Sequence, residues 1–551
     1  MRRCARLTRL LQRLPRNARL FFPAIALCSA MAAHAQSTGT VTGTVMDAST
    51  HRGIARALVE SSTSGNAQLT DGAGHFSLSG LAPGTVQLRY RRPGYFDPIT
   101  GQPFGSRTVT LSAGTTDVTL ALEPSATLRG QVVTPNGDSP AGIRVDLYNA
   151  RVSGGWRTWQ GERSAVVHAD GTFFFGDLPP GSYAVHTQAS LDPVPEGDTP
   201  GARSGYAPVF APSATDLSSA TVAVLEPGQT AEVDPVVARV PFYPVTIHVA
   251  GSFIGYDARI TGNGFARWSP RESRENDSVS TELPSGSYRL HMFGFGAGGH
   301  NGAADLPFEV DDAPATTLST TLSATAGMPF DTQIDTTGDA SSSAATEDSA
   351  ATSGAAASQP RISYLLFVPV HDAAEMPRTV FVRRDSSSGA EYLETAQLHA
   401  GQYWIKASAG GGYVAALSSG DTDLFTQPLS FDPASPPSIA AVLRSDSATI
   451  TVALSGPLTQ QPCVVHLVPL SPGGTAALRE DTTGTPSVTF SGLAPGDYLV
   501  LATETGAGIA YREPGVVQQL TGEHVSAAAG ATAQATLSSF VTLPASAVVQ
   551  Q

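Results

Sequence analysis

The feature that most constrains this chain is a short motif that returns five times. Leu81-Ala82-Pro83-Gly84 recurs as Leu178-Pro179-Pro180-Gly181, Leu283-Pro284-Ser285-Gly286, Leu398-His399-Ala400-Gly401 and Leu493-Ala494-Pro495-Gly496. The glycines are 97, 105, 115 and 95 residues apart. Two positions after each glycine stands Val86, Tyr183, Tyr288, Tyr403 or Tyr498, and two further on Leu88, Val185, Leu290, Ile405 or Val500. A fixed period of this size marks a chain built from repeated units that each bury a core. Residues two apart share one face of a strand, so the large residue and the aliphatic point into the same core. Proline fixes φ and the next glycine supplies a positive φ, which predicts a type II turn joining two strands as a hairpin corner at Gly84, Gly181, Gly286, Gly401 and Gly496. The third and fourth copies keep the glycine and lose the proline before it.

Upstream of the turn the first two copies agree further. Val41-Thr42-Gly43-Thr44-Val45, Ala57-Leu58-Val59 and Asp71-Gly72-Ala73-Gly74-His75-Phe76 are matched by Leu128-Arg129-Gly130-Gln131-Val132, Ile143-Arg144-Val145-Asp146-Leu147 and Asp170-Gly171-Thr172-Phe173. Short alternating runs bounded by Gly, Pro, Asn and Asp predict an all-β chain, a tandem array of about five Ig-like or prealbumin-like β-sandwiches. On these residues, with Gly94-Tyr95, the stretch from Val41 to Tyr95 resembles the carboxypeptidase regulatory-like domain. That resemblance implies a seven-stranded sandwich of prealbumin-like topology. The second copy is similar to the same superfamily, which includes starch-binding-like sandwiches, and the order of copies resembles large exported acidobacterial-type proteins of unknown role.

The first 35 residues read as a signal peptide: seven arginines without an acid, an apolar stretch from Leu20 to Ala33, and Ala33-His34-Ala35 before the cut. The expected divisions are 1–35 signal peptide, 36–124, 125–241 and 242–329 sandwiches, 330–360 flexible linker, then 361–445 and 446–551 sandwiches, the last with a short tail. The linker expectation rests on Gly338 to Ala357, which holds only Ser, Ala, Thr, Gly, Asp and Glu. No later run is long and apolar enough for a membrane span, so export without a membrane anchor is expected. With 26 basic and 47 acidic residues the mature chain carries −21, which repels phosphate backbones and argues against nucleic acid as a partner. Cys463 is the one cysteine left after cleavage, so no internal disulfide forms, and its apolar neighbours read as core.

Catalytic signatures are not found. None of the 12 histidines has a glutamate three residues on, as the zinc peptidases that carry such domains require. There is no Gly-x-Ser-x-Gly elbow and no phosphate loop. Gly294-x-Gly296-x-x-Gly299 matches a dinucleotide fingerprint without a following helix, and Asp311-Asp312, Asp421 and Asp423 lack further calcium ligands. The expectation is a protein that is not an enzyme and needs no cofactor or metal. It would work in binding or display in the periplasm, at the outer surface or outside the cell, with polysaccharide or a cell-surface component as partner. An accessory role beside a secreted peptidase or outer-membrane transporter, and a ligand-free spacer, are the alternatives. Trp156-Arg157-Thr158-Trp159, in a polar insertion, reads either as an indole platform for sugar, with Arg157 and Glu162 supplying hydrogen bonds, or as cover packed on the sandwich. The oligomeric state is not legible.

Overall fold

The computed structural model describes residues 38–549 except 63, 113, 194–202, 252, 263–266, 269–270, 274–276, 296–300, 313–314, 325–326, 337–358, 371–375, 396–397, 460–462, 471–477, 482–484, 507 and 545–547. The expected signal peptide therefore lies outside the described residues. Among those described, the chain is strand and turn, with three short 3-10 turns and no α-helix. Among the described residues no helix is long and apolar enough to cross a membrane.

Five units repeat one topology. In each, a first strand pairs antiparallel with the strand that enters the corner motif and parallel with the unit's last strand. The first strands are Gly39–Asp47, Ala126–Gln131, Arg239–Ala250, Met328–Ile334 and Ala448–Leu454. Their parallel partners are Thr115–Pro124, Thr230–Glu232, Thr316–Thr321, Ile439–Arg444 and Thr532–Leu537. Each unit has its own apolar core, drawn from both sheets by the period-2 alternation of its strands. All five corner leucines and the two positions after each glycine that the motif fixes are buried in these cores.

The corner itself differs from the expected hairpin. His75–Leu81 pairs with Gly39–Asp47, whereas Gly84–Arg91, just past the turn, pairs with Leu58–Ser61 and Gly105–Leu111 in the facing sheet. The same separation holds at Thr172–Leu178 and Gly181–Thr187, at Ser278–Leu283 and Gly286–Phe295, and at Ser487–Leu493 and Gly496–Thr503. The motif is an arch that carries the chain from one sheet to the other. Gly84, Gly286 and Gly496 take φ of +125°, +154° and +152°, while Gly181 and Gly401 are not positive. The type II expectation fails at those two, because the turn needs a positive φ at the glycine and neither has one.

In four of the five units a tyrosine ties the arch. Tyr183, Tyr288, Tyr403 and Tyr498 donate their hydroxyls to the carbonyls of Pro179, Pro284, His399 and Ala494, at 2.7, 2.8, 2.9 and 2.5 Å. Each bond spans four residues backward across the turn, the device of the tyrosine corner in immunoglobulin-like sandwiches. Unit 1 has Val86 there and lacks the bond. The Asp-Gly hallmark is equally local: Asp71 accepts from the backbone N–H groups of Ala73 and His75, at 2.9 and 2.8 Å, and Asp170 from that of Thr172 at 3.0 Å.

The unit boundaries shift from those expected. Met328–Ile334, assigned from sequence to the third sandwich and the linker, is the first strand of unit 4. Gly338–Ala357 lies outside the described residues, but the strands on either side, Met328–Ile334 and Arg361–Pro369, both belong to unit 4. Arg203–Tyr206, from the second stretch, pairs with the start of Arg239–Ala250 and extends the sheet of unit 3. Proteolysis within 337–358 should therefore leave two fragments that co-elute on native size exclusion, because the N-terminal one holds a parallel strand in the core of unit 4. Separation of the fragments without denaturant would refute that strand assignment.

Candidate functional site: the joints between units

The Arg144–Ser153 and Trp156–Val166 strands form a hairpin that leaves unit 2 and reaches units 4 and 5. Positions 156 and 159 are an odd number of residues apart on one strand, so their side chains point to opposite faces. Trp159 is 6% exposed, packed with Tyr148, Ala150 and Ala184 under Phe210 and Leu217. Those two belong to the segment after Tyr206, which folds over the outer face of the sheet. Trp156 stacks on Trp404 of unit 4, ring centroids 4.4 Å apart and planes 16° from parallel. The expected two-indole platform is thus not formed: one indole is core and the other is spent on an inter-unit contact.

The expected polar partners are also engaged. The Arg157 backbone N–H donates to Glu513 of unit 5 at 3.2 Å, and its guanidinium lies 3.6 Å from the same carboxylate. Glu162 pairs with Arg151 across the hairpin at 3.6 Å. Beside them the Arg512 N–H donates to the Gly155 carbonyl at 3.0 Å, and a Cβ at Gly155 would lie 2.4 Å from the Tyr511 ring. Units 1 and 5 touch as well, through the Gly506 N–H and the Pro98 carbonyl at 2.8 Å. Units far apart in sequence are therefore in contact, which a simple string of domains would not give.

A second joint lies between units 3 and 4. On the outer face of unit 3, Arg259, His291 and Asp305 stand side by side on three adjacent strands. The fourth corner motif docks there. His399 places its ring 4.2 Å from that of His291, and Ala400 donates its backbone N–H to Asp305 Oδ2 at 3.1 Å. The equivalent position is Pro83, Pro180 and Pro495 in three other copies, and proline has no N–H to give. Loss of the proline in copy four is what lets this corner bind a neighbour.

His291, Asp305 and His399 bring three ligand-type atoms within 4.8 Å of one another. Their hydrogen bonds close without a metal ion. His291 Nδ1 bonds Asp305 Oδ2 and its Nε2 bonds Thr261 Oγ1, both at 3.0 Å; Arg289 donates to Asp305 Oδ1 at 2.9 Å; Arg259 donates to His399 Nε2 at 3.3 Å. A guanidinium aimed at a ring nitrogen occupies the lone pair a metal needs and adds like charge, so the donor set does not fit a cation. Burial raises the Asp305 carboxyl, but the bond and charge of His291, with Arg289 and the Ala400 N–H, outweigh it and hold it below the usual range. Burial first, then His291 and Arg259, push His399 down to about 3.

The other sequence candidates resolve simply. Cys463 is fully buried in the core of unit 5. Asp423 accepts from the Phe425 N–H at 2.9 Å as a turn cap, and Asp312 accepts from the Tyr243 hydroxyl at 3.1 Å. Gly294 lies inside Gly286–Phe295, and the rest of its fingerprint, residues 296–299, lies outside the described residues. A hollow of about 730 Å³ beside Phe330, Pro360 and Arg361 is crossed by the Arg384–Glu391 ion pair. The arginine–histidine joint escaped the sequence reading; the missing proline at Ala400 was its one visible sign.

Residues 40–123 match the carboxypeptidase regulatory-like domain family, a match that covers unit 1. No curated protein matches the chain. Among solved structures it is similar to the Bacillus anthracis TIE protein, at 13% identity over 52% of this chain and 51% of that one with a TM-score of 0.17. It is similar too to GBS52, the minor pilin of Streptococcus agalactiae, at 15% identity over 37% and 97% of the two chains with a TM-score of 0.21. For the shaft pilin SpaA of Lactobacillus rhamnosus GG the values are 9%, 37%, 98% and 0.17. The chain spans about half the length of the Bacillus anthracis protein.

Proposed function

We propose that the protein is an exported, non-catalytic protein of binding or display, in which five β-sandwiches are fastened into one block that presents its outer faces. The observation that carries this reading is the Trp156–Trp404 stack with its Arg157–Glu513 pair, a side-chain joint between units far apart in sequence. A ligand-free string would gain nothing from desolvating two indoles there. Small-angle scattering of the mature chain tests it. The Trp156→Ala, Glu513→Ala double variant should show a larger radius of gyration with its circular dichroism unchanged. An identical scattering profile would remove the joint from the argument.

Polysaccharide is the ligand class we assign within that reading, at a site other than the tryptophan hairpin. Tyr364 and Phe381 face each other across neighbouring strands of unit 4, 45% and 49% exposed, with ring centroids 6.3 Å apart. Arg383 lies over the Phe381 ring and bonds Glu394 at 3.0 Å, which sets polar groups beside an apolar surface. A glycan array probed with the mature chain should retain a ligand, and Tyr364→Ala with Phe381→Ala should weaken that retention at least about tenfold. A blank array favours display or an accessory role over sugar binding.

A further inference from the structure

Three guanidinium groups and one carboxylate meet at the joint between units 3 and 4. Around His399 stand Arg259 on Gly255–Gly262, His291 on Gly286–Phe295, Asp305 on Asn301–Val310 and Arg378 on Arg378–Arg384; Arg289 holds the far oxygen of Asp305. The single negative charge is already shared by Arg289, His291 and the Ala400 N–H. Among the described residues acting on His399, no second carboxylate offsets another positive charge.

The hydrogen-bond geometry makes the same demand. Arg259 can only donate, so His399 Nε2 must keep its lone pair to receive it. A protonated imidazole would set N–H against N–H at 3.3 Å. It would also place a cation 4.2 Å from the His291 ring.

We propose that the Leu398–Gly401 corner is an acid-released latch, which holds unit 4 on the outer face of unit 3 while His399 is neutral and lets go when that imidazole takes up a proton. The released state exposes His399 to water, where an imidazole titrates near 6.5, against about 3 in the closed joint. Opening thus binds a proton and is favoured as pH falls below 6.5. Linkage makes the opening equilibrium about thirtyfold larger at pH 5 than at pH 7.5. The charged groups of this network lie outside both cores and Leu398 stays in the core of unit 4, so unit 4 comes off unit 3 with its corner attached and each unit stays folded.

Hydrogen–deuterium exchange of the full mature chain, corrected for the intrinsic pH dependence of exchange, reads this directly at the Ala400 N–H, which Asp305 holds only in the closed joint. The wild type should open about thirtyfold more often at pH 5 than at pH 7.5, while the Leu365 and Leu290 strands remain protected. His399→Gln keeps an amide oxygen for Arg259 and cannot take the proton, so its response should be flat. Equal protection of the wild type at both pH values, or an unchanged acid response in His399→Gln, would overturn the latch. Should that variant fail to fold, a histidine-labelled wild-type chain followed by NMR decides. A His399 ring that titrates near 6.5 while its segment stays protected would equally overturn it.

Discussion

Gly43→Ala is expected to destabilise unit 1 by at least about 3 kcal/mol, an effect at the upper end for one added methyl group. Gly43 lies beside Val118 on the parallel strand, and a Cβ there would sit 2.0 Å from the Val118 carbonyl oxygen. Backbone cannot rotate aside as a side chain does, so the parallel pair that closes the sheet must part. Gly130 repeats the arrangement in unit 2, with the Val233 carbonyl oxygen at 1.8 Å. This is why the Gly-x-Val hallmark keeps its glycine in both copies. Gly72→Ala is the control: it adds the same methyl in the same unit where nothing lies within 4 Å. Chemical denaturation of the isolated variants reads both, and equal midpoints for Gly43→Ala and Gly72→Ala would refute the close-approach account.

Two buried groups should give neighbouring units stability profiles that slope in opposite directions with pH. Glu123 on the last strand of unit 1 is 8% exposed, and burial, then the charges of Asp97 and Asp47, push its carboxyl up to about 8. An unfolded glutamate ionises near 4.5, so between 4.5 and 8 the unfolded chain has lost a proton that the fold retains. Unit 1 should lose stability as pH rises through that window, on the order of 5 kcal/mol in all. His186 of unit 2 is 4% exposed between Tyr148 and Phe210, and among the described residues its Nδ1 has no hydrogen-bond partner. Burial pushes it down to about 4, so the unfolded chain takes up the proton first as pH falls from 6.5. Unit 2 should lose about 3 kcal/mol over that interval. Denaturant midpoints of Glu123→Gln and His186→Phe against wild type, at pH 4.5 and 8.5, test the pair. Glu123→Gln should gain stability only at the alkaline end and His186→Phe only at the acid end. Parallel shifts at both pH values would show that the gain comes from packing instead.

The tryptophan hairpin shows where a sequence reading runs out. Trp156 and Trp159 are close in the chain, a spacing that fits one platform or a cover on the sandwich equally well. Strand geometry sends them to opposite faces, and only the fold says that Phe210 and Leu217 roof one while Trp404 meets the other. The corner motif is ambiguous for a related reason. Its leucine, glycine and tyrosine say that two strands turn about a core, but backbone hydrogen bonds choose strand partners, and those are blind to side-chain identity. An arch and a hairpin therefore carry the same residues. Unit 4 went astray because its first strand stands apart from the rest of its unit, across the polar stretch that includes Gly338–Ala357.

What the sequence determined by itself is everything encoded within about ten residues: short strands, the five corners with their buried leucine and aliphatic positions, and the Asp-Gly turns. These follow from φ preferences and side-chain alternation, which act locally and leave a periodic trace. The tertiary structure alone decided what lies far apart in the chain. It chose which sheet receives each strand, brought Trp156 to Trp404, and set His399 beside His291. Such contacts depend on surface complementarity between finished units, and one chain records that only as an occasional broken rule, such as alanine at 400 where three of its four sister corners have proline.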